Sequence, residues 1–515
     1  MPQRVALVDL DARLPNLTSQ LLLPRHDVLA VGTAALAAGH DVDVFVEAWN
    51  GVPFAALSSY DVVGAAVTGS NLSRVAELFR DLRARRPAVH LIAGGPHATL
   101  APAEVAALAD VVVRDEGEVT FVEVLDALAR GDDVAGIEGV SYRRAGRVHH
   151  NGRRPFVGTT EAENLDLLTG FRPRSRLRQL FGQGGLYTGY ASASRGCPFP
   201  CTFCYENMIG GTGFRRQEIE AFVTDVRRKR DLLGTRSFWL TDSNFTTNPQ
   251  HCRDVLRALI AADLGCTFSA LCRTDVGRQP EILDLMKRAG FKTLVLGIEA
   301  VDDATLMRIR KKQTVDSTTE AIRRMQQAGL GVYGLFMLGF DEDTVDSAAS
   351  FVRYADAHDL VGLSIYCLTE YPSLPGRTLP RWRICETDLD YYNGHYVTTF
   401  PLRARPSALE RAAFTALLGF HHPRRLLGTL ARGDWRQAML HFAHYLQLRK
   451  MWRVSLQHQR RLAEIEAPYY RGDDLQVDLL RARPVVTDPL PPDLLAGWRD
   501  PDDLVAPAAL ARALS

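Results

Sequence analysis

Short apolar runs rich in β-branched residues alternate with longer amphipathic stretches over the first 145 residues of the chain. Five of the short runs have the composition and length of buried strands: RVALVDL, DVDVFV, DVVGAAV, HLIAGG and DVVVR. Between them lie alanine- and leucine-rich stretches with helical periodicity, such as LSRVAELFRDLRARRP. This alternation predicts an α/β domain with a doubly wound, mostly parallel sheet and helices on both faces.

A second alternating series begins near residue 187, after a glycine- and arginine-rich stretch that is predicted to be a linker. Six runs in this series have the character of strands: GYASASRG, SFWLTDSN, CTFSALCR, TLVLGIEA, GVYGLFMLGF and LVGLSIYCL. Six βα units suit a partial (β/α)6 barrel of the TIM type, in which functional groups stand at the C-terminal ends of the strands.

The alternation stops near residue 400, where the pattern becomes helical. PSALERAAFTALLGFHH and the longer run that follows it predict helices, and the proline- and aspartate-rich tail from APYYRGDD is expected to be loose. The predicted organisation therefore has four parts: an N-terminal sheet domain (1–145), a linker (146–186), a barrel (187–400) and a helical C-terminal region with its tail (401–515).

Composition adds limits to this picture. The formal net charge is +1, from 61 basic and 60 acidic residues, so nothing indicates the basic excess of a nucleic-acid-binding protein. The N-terminus lacks the apolar segment of a secretory signal, and no run of about 18 apolar residues occurs. We therefore expect a cytoplasmic protein without a membrane span.

Three of the 8 cysteines, Cys197, Cys201 and Cys204, lie in the segment SRGCPFPCTFCYENMIGG, directly after the first strand of the barrel. Scattered cysteines in a chain of 515 residues do not form a disulfide scaffold. Zinc sites usually close with four ligands, whereas iron–sulfur clusters take one cysteine per iron. Because no second Cys-x-x-Cys pair occurs, the spacing favours a cluster, with zinc still open.

The spacing Cys-x-x-x-Cys-x-x-Cys, with the aromatic Phe203 before the third cysteine, resembles the radical S-adenosylmethionine (SAM) enzymes over residues 187–370. The resemblance implies that Cys197, Cys201 and Cys204 hold a [4Fe-4S] cluster whose fourth iron chelates SAM. An electron from a flavodoxin- or ferredoxin-type donor would then release a 5′-deoxyadenosyl radical. The protein supplies position and protection, while the cofactors carry the chemistry.

Polar residues at the ends of the later strands match SAM-contacting elements of the same family. The resemblance implies five such residues: Asp242, Asn244, Arg273, Glu299 and Gly339. Arg273 would pair with the SAM carboxylate, because a guanidinium suits bidentate pairing, and Glu299 would contact the ribose. Taken singly, a carboxylate at a strand end is more often a solvated group or a helix cap. The assignment of these five residues to SAM binding depends on their order along the chain after one cysteine triplet.

The first domain is similar to the cobalamin-binding domain that precedes the barrel in one branch of these enzymes. The segments GAAVTGSNLSR, AGGPHATLAP and VVVRDEGEVTF follow predicted strands, at the edge where open sheets bind ligands. The resemblance implies nine cobalamin contacts: Thr68, Ser70, Asn71, Gly94, Gly95, His97, Glu116, Gly117 and Glu118. The chain lacks the Asp-x-His-x-x-Gly loop whose histidine ligates cobalt in many such domains. Two interpretations of this difference stay open: the domain binds cobalamin with a weakly ligated cobalt, or it has lost cobalamin.

The whole layout resembles the class B radical SAM methyltransferases, in which one SAM methylates cob(I)alamin and a second gives the radical. The expected reaction is methylation of an unactivated carbon of a small molecule or natural-product intermediate. The alternatives are a cobalamin-dependent cyclase, rearrangement or oxidation enzyme, and a non-catalytic metal- or cobalamin-binding sensor. Four residues of the C-terminal part are expected to shape the substrate pocket or to pack in the core: Tyr391, Tyr392, His395 and Trp452.

Overall fold

The computed structural model describes most of the chain, in these ranges: 2–17, 21–22, 26–157, 163–171, 186–187, 189–371, 378–431, 433 and 435–482. It contains an N-terminal sheet with helices on both faces, a second and wholly parallel sheet with its own helices, and a C-terminal helical region. The fold class that the sequence predicts is therefore confirmed.

The N-terminal sheet has seven strands: β1 Arg4–Asp9, β2 Asp41–Val46, β3 Val62–Ala66, β4 His90–Gly94, β5 Val111–Val113, β6 Val140–Arg144 and β7 Arg147–His150. Their spatial order is β2-β1-β3-β4-β5-β6-β7, and the first five are parallel. The chain leaves β1 toward β2 on one side and later returns to β3 on the other. Parallel sheets bind ligands at the carboxyl ends of strands beside such a reversal.

The flanking helices explain why β1 is buried on both faces: α1 His26–Ala37, α2 Leu72–Arg85 and α3 Glu118–Arg130. Val5 and Leu7 pack in one apolar core with α1 and α3. Ala6 and Val8 point to the opposite face and pack in a second core with α2. Side chains of a strand alternate between faces, so an uninterrupted apolar run is what a doubly covered strand requires.

The sheet continues beyond residue 145 as the antiparallel hairpin β6–β7. Its turn at Ala145 and Gly146 has positive φ angles of 48° and 77°, which match the twist of a tight hairpin. The stretch Arg147–His150, expected to begin the linker, is thus the last strand of the first sheet. Residues 158–162, 172–185 and 188 of the expected linker and its border lie outside the described residues.

The second sheet has six parallel strands that pair in chain order: β8 Gly189–Ala191, β9 Ser237–Leu240, β10 Thr267–Cys272, β11 Phe291–Glu299, β12 Gly331–Leu338 and β13 Gly362–Cys367. Five helices alternate with them: α4 Ile219–Leu233, α5 Pro249–Ala262, α6 Pro280–Arg288, α7 Val315–Gln327 and α8 Val345–Ala357. All six strands therefore end at the same edge of the sheet.

The C-terminal region consists of three main helices: α9 Pro406–Phe420, α10 Pro423–Ala431 and α11 Trp435–Glu466. Leu409 and Phe414 of α9 and Leu448 of α11 share the apolar core of the barrel. The expected loose tail is wrong for residues 470–481, which form a small hairpin and a helix, with the Tyr470 hydroxyl donating to the Pro401 carbonyl at 2.5 Å. The tail from residue 483 lies outside the described residues. None of the helices in the described part of the chain is long and apolar enough to span a membrane.

Candidate active site

The three neighbouring cysteines lie on the loop after β8, at the C-terminal edge of the barrel strands. Gly196 introduces this loop with a φ of +81°, and a Cβ there would lie 2.2 Å from the Gly213 carbonyl oxygen, so only glycine fits. The Cys204 amide donates to the Cys201 carbonyl at 3.2 Å, and the Thr202 amide donates to the Ile309 carbonyl at 3.3 Å. The loop is therefore a tight turn fixed against the segment that follows β11.

None of the three thiols of this loop forms a disulfide, and their burial affects their protonation. Burial raises the pKa of Cys197 to about 11 and that of Cys204 to about 12. Such thiols keep their protons unless a cation binds, and a coordinated metal deprotonates them outright. The described part of the chain contains no three His, Cys, Asp or Glu side chains placed to share a single ion. Three cysteines on one loop fit an iron–sulfur cluster, in which each cysteine ligates a different iron.

Arg273 reaches the cysteine loop from the end of β10. Its guanidinium lies 4.0 Å from the ring centroid of Phe199, which stands between the first and second cysteines. Its Nη2 donates to the Lys311 carbonyl at 2.5 Å, and its Nη1 lies 3.9 Å from the Cys201 sulfur. Arg273 Nε is buried without a partner among the described residues. The predicted SAM residue is thus next to the predicted cluster ligands.

Glu299 ends β11 in a left-handed conformation with a φ of +68°, an uncommon backbone state for a residue with a side chain. Its carboxylate accepts a hydrogen bond from Lys311 Nζ at 2.7 Å, and both side chains are buried. Lys311 Nζ also lies 5.8 Å from the ring centroid of Phe203. Sequence reasoning missed Lys311, because its role becomes visible only when the loop that carries it folds over the strand end.

The other predicted SAM residues differ in the hydrogen bonds that they form within the protein. The Asp242 carboxylate accepts hydrogen bonds from the Ser194 hydroxyl at 2.5 Å and the Ala193 amide at 3.0 Å, which supports the segment leading to the cysteines. Asn244 Oδ1 accepts from Thr246 at 3.1 Å, while its Nδ2 is buried without a partner among the described residues. Gly339, with a φ of +113°, donates its amide to the Asp343 carboxylate at 2.8 Å.

A cavity of about 650 Å³ lies between the carboxyl edge of the N-terminal sheet and the barrel. Five of the nine predicted cobalamin residues line it: Gly94, Gly95, Glu116, Gly117 and Glu118. The barrel side contributes polar and small residues, among them Ser192, Ser194, Arg195, Gly196, Glu206 and Ser243. Gly95 has a φ of +95°, and a Cβ there would lie 3.1 Å from the backbone of Val67. The positive φ and the nearby Val67 backbone explain why glycine stands at position 95 beside the cavity.

The remaining four predicted cobalamin residues lie outside this lining. Asn71 is buried and donates to the carbonyls of Leu10 at 3.0 Å and Ala66 at 3.1 Å, while its oxygen accepts the Thr68 amide at 2.8 Å. Ser70 lies 3.4 Å from the Thr68 hydroxyl. His97 Nε2 is 3.1 Å from the Glu104 carboxylate. In the structure these side chains stabilise the turns after β3 and β4.

An ionic network joins the first domain to the cysteine loop. Arg195 Nη1 lies 2.7 Å from Glu118 and 3.3 Å from Glu116, and Arg215 Nη2 lies 2.5 Å from Glu116. Arg195 and Arg215 belong to the short antiparallel pair that flanks the cysteine loop. Sequence reasoning identified the two glutamates but not their arginine partners, because nothing in the local pattern signals a contact across such a distance in the chain.

Two family models match the chain. The model of the radical SAM superfamily matches residues 192–355, and the model of the B12 binding domain matches residues 18–125. The first range contains the cysteine loop and all five predicted SAM residues. The second contains all nine predicted cobalamin residues.

Two curated relatives share about a quarter of their residues with this chain. An uncharacterized methyltransferase of Pyrococcus horikoshii is 27% identical over 318 residues, which cover 61% of this chain and 67% of that protein. The anaerobic magnesium-protoporphyrin IX monomethyl ester cyclase of Synechocystis is 27% identical over 341 residues, which cover 62% and 65%. The chain thus spans about two thirds of the length of these relatives.

Two solved structures share the fold. The radical S-adenosylmethionine methyltransferase TsrM from Kitasatospora setae, with cobalamin and a [4Fe-4S] cluster bound, has a TM-score of 0.64 at 16% identity, covering 88% of this chain and 100% of that one. The cobalamin-dependent S-adenosylmethionine radical enzyme OxsB has a TM-score of 0.57 at 18% identity, covering 68% and 52%. At these identities the likeness establishes the architecture and leaves the reaction to be argued from the site.

Proposed function

This chain is a radical SAM enzyme with a B12-binding domain, and on that premise we propose that it methylates an unactivated carbon of a small molecule or natural-product intermediate. Its cofactors are SAM, a [4Fe-4S] cluster and cobalamin. When bound, the cluster supplies the electron that cleaves SAM, and cobalamin carries the methyl group. The observation that carries the proposal is the position of Gly196, which lines the cavity and directly precedes Cys197. The proposed cobalamin site and the proposed cluster site therefore adjoin.

The residues of the chain have distinct tasks in this proposal. Cys197, Cys201 and Cys204 hold the cluster. Arg273, which reaches the same loop, and Asn244, which has a buried amide without a partner among the described residues, hold SAM together with Glu299 and the turn at Gly339. Asp242 acts by supporting the loop, since both its oxygens already accept hydrogen bonds. A flavodoxin- or ferredoxin-type donor is proposed as the source of the electron.

The ionic network between the domains holds the proposed cobalamin site next to the proposed cluster site. Arg195 and Arg215 neutralise the acidic loop at Glu116 and Glu118, so that the loop can pack against the barrel. Both glutamate side chains are partly buried, and pairing with arginine offsets the cost of removing their charges from water. These ion pairs hold the acidic side of the cavity lining beside the cysteine loop, and this supports the proposal because group transfer needs adjacent reactants.

A cyclase or rearrangement reaction is the second candidate, and the similarity to the Synechocystis cyclase favours it. It uses the same cofactors but leaves no methyl group on the product. The third alternative, a non-catalytic sensor, is set aside by the match to the radical SAM superfamily. The two enzymatic candidates differ in the fate of the methyl group of SAM.

The test is anaerobic turnover of protein reconstituted with iron, sulfide and cobalamin, supplied with a reductant, methyl-deuterated SAM and candidate metabolites. Mass spectrometry of a methylase reaction shows the labelled methyl group in the product. 5′-Deoxyadenosine with an altered but unlabelled product supports the cyclase or rearrangement reaction instead. Formation of neither 5′-deoxyadenosine nor a methylated product contradicts both.

A matched pair of variants separates the cluster from general effects of losing a thiol. Cys201→Ala removes one iron ligand and is expected to abolish 5′-deoxyadenosine formation and to lower bound iron. Cys266→Ala removes another buried thiol, which donates to the Leu264 carbonyl at 3.6 Å, and is expected to keep both 5′-deoxyadenosine formation and bound iron. Equal iron content in the two variants would argue against the assigned ligands.

A further inference from the structure

The C-terminal helices α10 and α11 expose a concentration of apolar side chains. Of the eleven large apolar side chains that are exposed in the described part of the chain, five lie on these two helices. Between 40% and 65% of each is exposed: Leu427, Leu430, Phe442, Leu446 and Leu456. Single exposed apolar residues are ordinary, but a group of them marks an interaction surface. The cofactor sites do not explain this group, because none of the five lines the cavity.

One side of α11 combines three of these apolar residues with four basic ones. We call this side the basic apolar face and define it by seven exposed residues: Phe442, Leu446, Arg449, Lys450, Arg453, Leu456 and Arg460. Apart from one adjacent pair, they follow one another at intervals of three or four residues, which places them on the same side of the helix. The opposite side, with Leu448, Met451 and Leu462, is fully buried in the core of the barrel. The face is therefore a second surface, separate from the one that packs the helix.

The charge around this face is unbalanced, although the chain as a whole is nearly neutral. Residues 421–461 contain nine arginine and lysine residues and one aspartate, whereas the net charge of all 515 residues is +1. Two of the nine are paired, Arg425 with Asp356 and Arg461 with Glu386. The four basic residues of the face form no ion pair with any residue that the structure describes. Their charges are therefore available to an anionic partner.

The helix that carries the face is firmly attached to the barrel. Directly after α9, His421 lies 2.9 Å from His441 of α11, measured between the two Nδ1 atoms, and donates from Nε2 to the Leu363 carbonyl at 3.2 Å. His444 Nε2 of α11 lies 3.2 Å from the Tyr333 hydroxyl. Leu363 and Tyr333 stand near the starts of β13 and β12, whereas the cysteine loop follows the end of β8. A partner on this part of the face would therefore lie at the opposite end of the barrel from the cysteine loop.

An anionic membrane surface matches both properties of the face. When a helix lies in the membrane interface, its apolar side chains enter the boundary between head groups and acyl chains, while arginine and lysine extend toward the lipid phosphates. A second copy of the chain fits less well, because a twofold interface would bring the same basic residues face to face. We propose that the basic apolar face docks on an anionic membrane surface. This inference goes beyond the proposed function and does not depend on the cofactors.

Co-sedimentation of the full chain with lipid vesicles tests the proposal. One set of vesicles is phosphatidylcholine alone, and the other contains equal parts of phosphatidylcholine and the anionic phosphatidylglycerol. We expect the protein to partition onto the anionic vesicles at least about tenfold more strongly, as several basic residues near an anionic surface imply. Added salt should weaken this binding, because it screens exposed charges. Absence of binding, or equal partitioning onto both sets, overturns the proposal. Formation of 5′-deoxyadenosine is measured separately, so neither result bears on the proposed function.

Two pairs of variants assign the binding to the face. Phe442→Ser removes an apolar side chain and is expected to weaken partitioning onto anionic vesicles about tenfold. Its control is Leu479→Ser, which removes a 54% exposed leucine from the short helix Val477–Arg481 and should change nothing. Arg453→Glu reverses one charge and should weaken the same partitioning at least about tenfold. Its control is Arg80→Glu, at an exposed position on α2, which should leave partitioning unchanged.

Two other occupants of the face give different results. If Arg453→Glu weakens binding and Phe442→Ser does not, the protein is only adsorbed by charge, and the proposed docking is overturned. Sedimentation velocity of the protein without lipid examines self-association. A dimer that Phe442→Ser dissociates would assign the face to a second copy of the chain and would also overturn the proposal. Because the substituted residues are exposed, we expect all four variants to keep the urea unfolding midpoint of the wild type.

Discussion

His458 lies on α11 between two carboxylates in the C-terminal region, and its charge is predicted to stabilise the fold. Its Nδ1 is 2.7 Å from Glu410 and its Nε2 is 3.3 Å from Glu386, with all three side chains fully buried. Tyr391 stacks on the imidazole at a centroid distance of 4.0 Å. Burial alone would lower the pKa of His458, but the hydrogen bonds and charges of Glu386 and Glu410 raise it to about 9.

The sign of the effect follows from comparing the folded and unfolded chains. Histidine has a pKa of 6.5 without such partners, so the folded state binds this proton more tightly. The stabilisation is fully present below about pH 6.5 and is lost as the pH rises through about 9. A difference of about 2.5 pH units corresponds to about 3 kcal/mol of the free energy of unfolding.

The assay is urea unfolding of the wild type and of His458→Gln, followed by tryptophan fluorescence between about pH 6 and pH 10. Glutamine does not titrate in this range, so the difference between the two proteins isolates the contribution of His458. We expect that difference to shrink by about 3 kcal/mol from the low to the high end of the range. His422→Gln, at an exposed position, is the control and should give no such trend. A difference that is independent of pH would refute the reasoning.

Three further predictions concern the cofactor sites. Arg273→Lys keeps the charge but loses the planar guanidinium that can form two parallel hydrogen bonds. Equilibrium dialysis should show an affinity for SAM about tenfold lower, with the iron content unchanged. An unchanged affinity would contradict the role of Arg273 in binding SAM. Gly95→Ala places a side chain at a φ of +95°, close to the backbone of Val67, and should lower the free energy of unfolding by about 1–3 kcal/mol. The control is Gly131→Ala, at a φ of +73° with open space around it. An effect of Gly95→Ala no larger than that of the control would argue against the close approach of the Val67 backbone. Burial raises the pKa of Asp343 from 3.8 to about 7. The wild type should therefore lose stability relative to Asp343→Asn as the pH rises from about 4 to about 7, as measured by urea unfolding. A difference in free energy of unfolding between the two proteins that stays constant over this range would contradict the prediction.

The elements of the fold that the sequence predicted correctly are those fixed by local pattern. The apolar runs at β1 and β3 and the helical periodicity of α2 and α4 lie where the structure has them, because side-chain spacing alone decides whether a segment can bury one face or two. The misplaced segment Arg147–His150 has too few apolar residues to read as a strand. It is held by pairing with β6, which no local pattern reports.

The sequence by itself determined the candidate chemistry, because the three candidate cysteine ligands lie within eight consecutive residues, and their spacing does not depend on how the rest of the chain folds. It also predicted the two successive series of alternating strands and helices, since each element has its own local pattern. Only the tertiary structure decided that Arg195 and Arg215 meet Glu116, that Lys311 meets Glu299, and that Glu163 joins Asp225 and Lys229 in one cavity. One physical reason applies to all of these contacts. Charged side chains that leave water are stabilised by an opposite charge, and here the partner comes from a segment that packing, rather than spacing along the sequence, brings close.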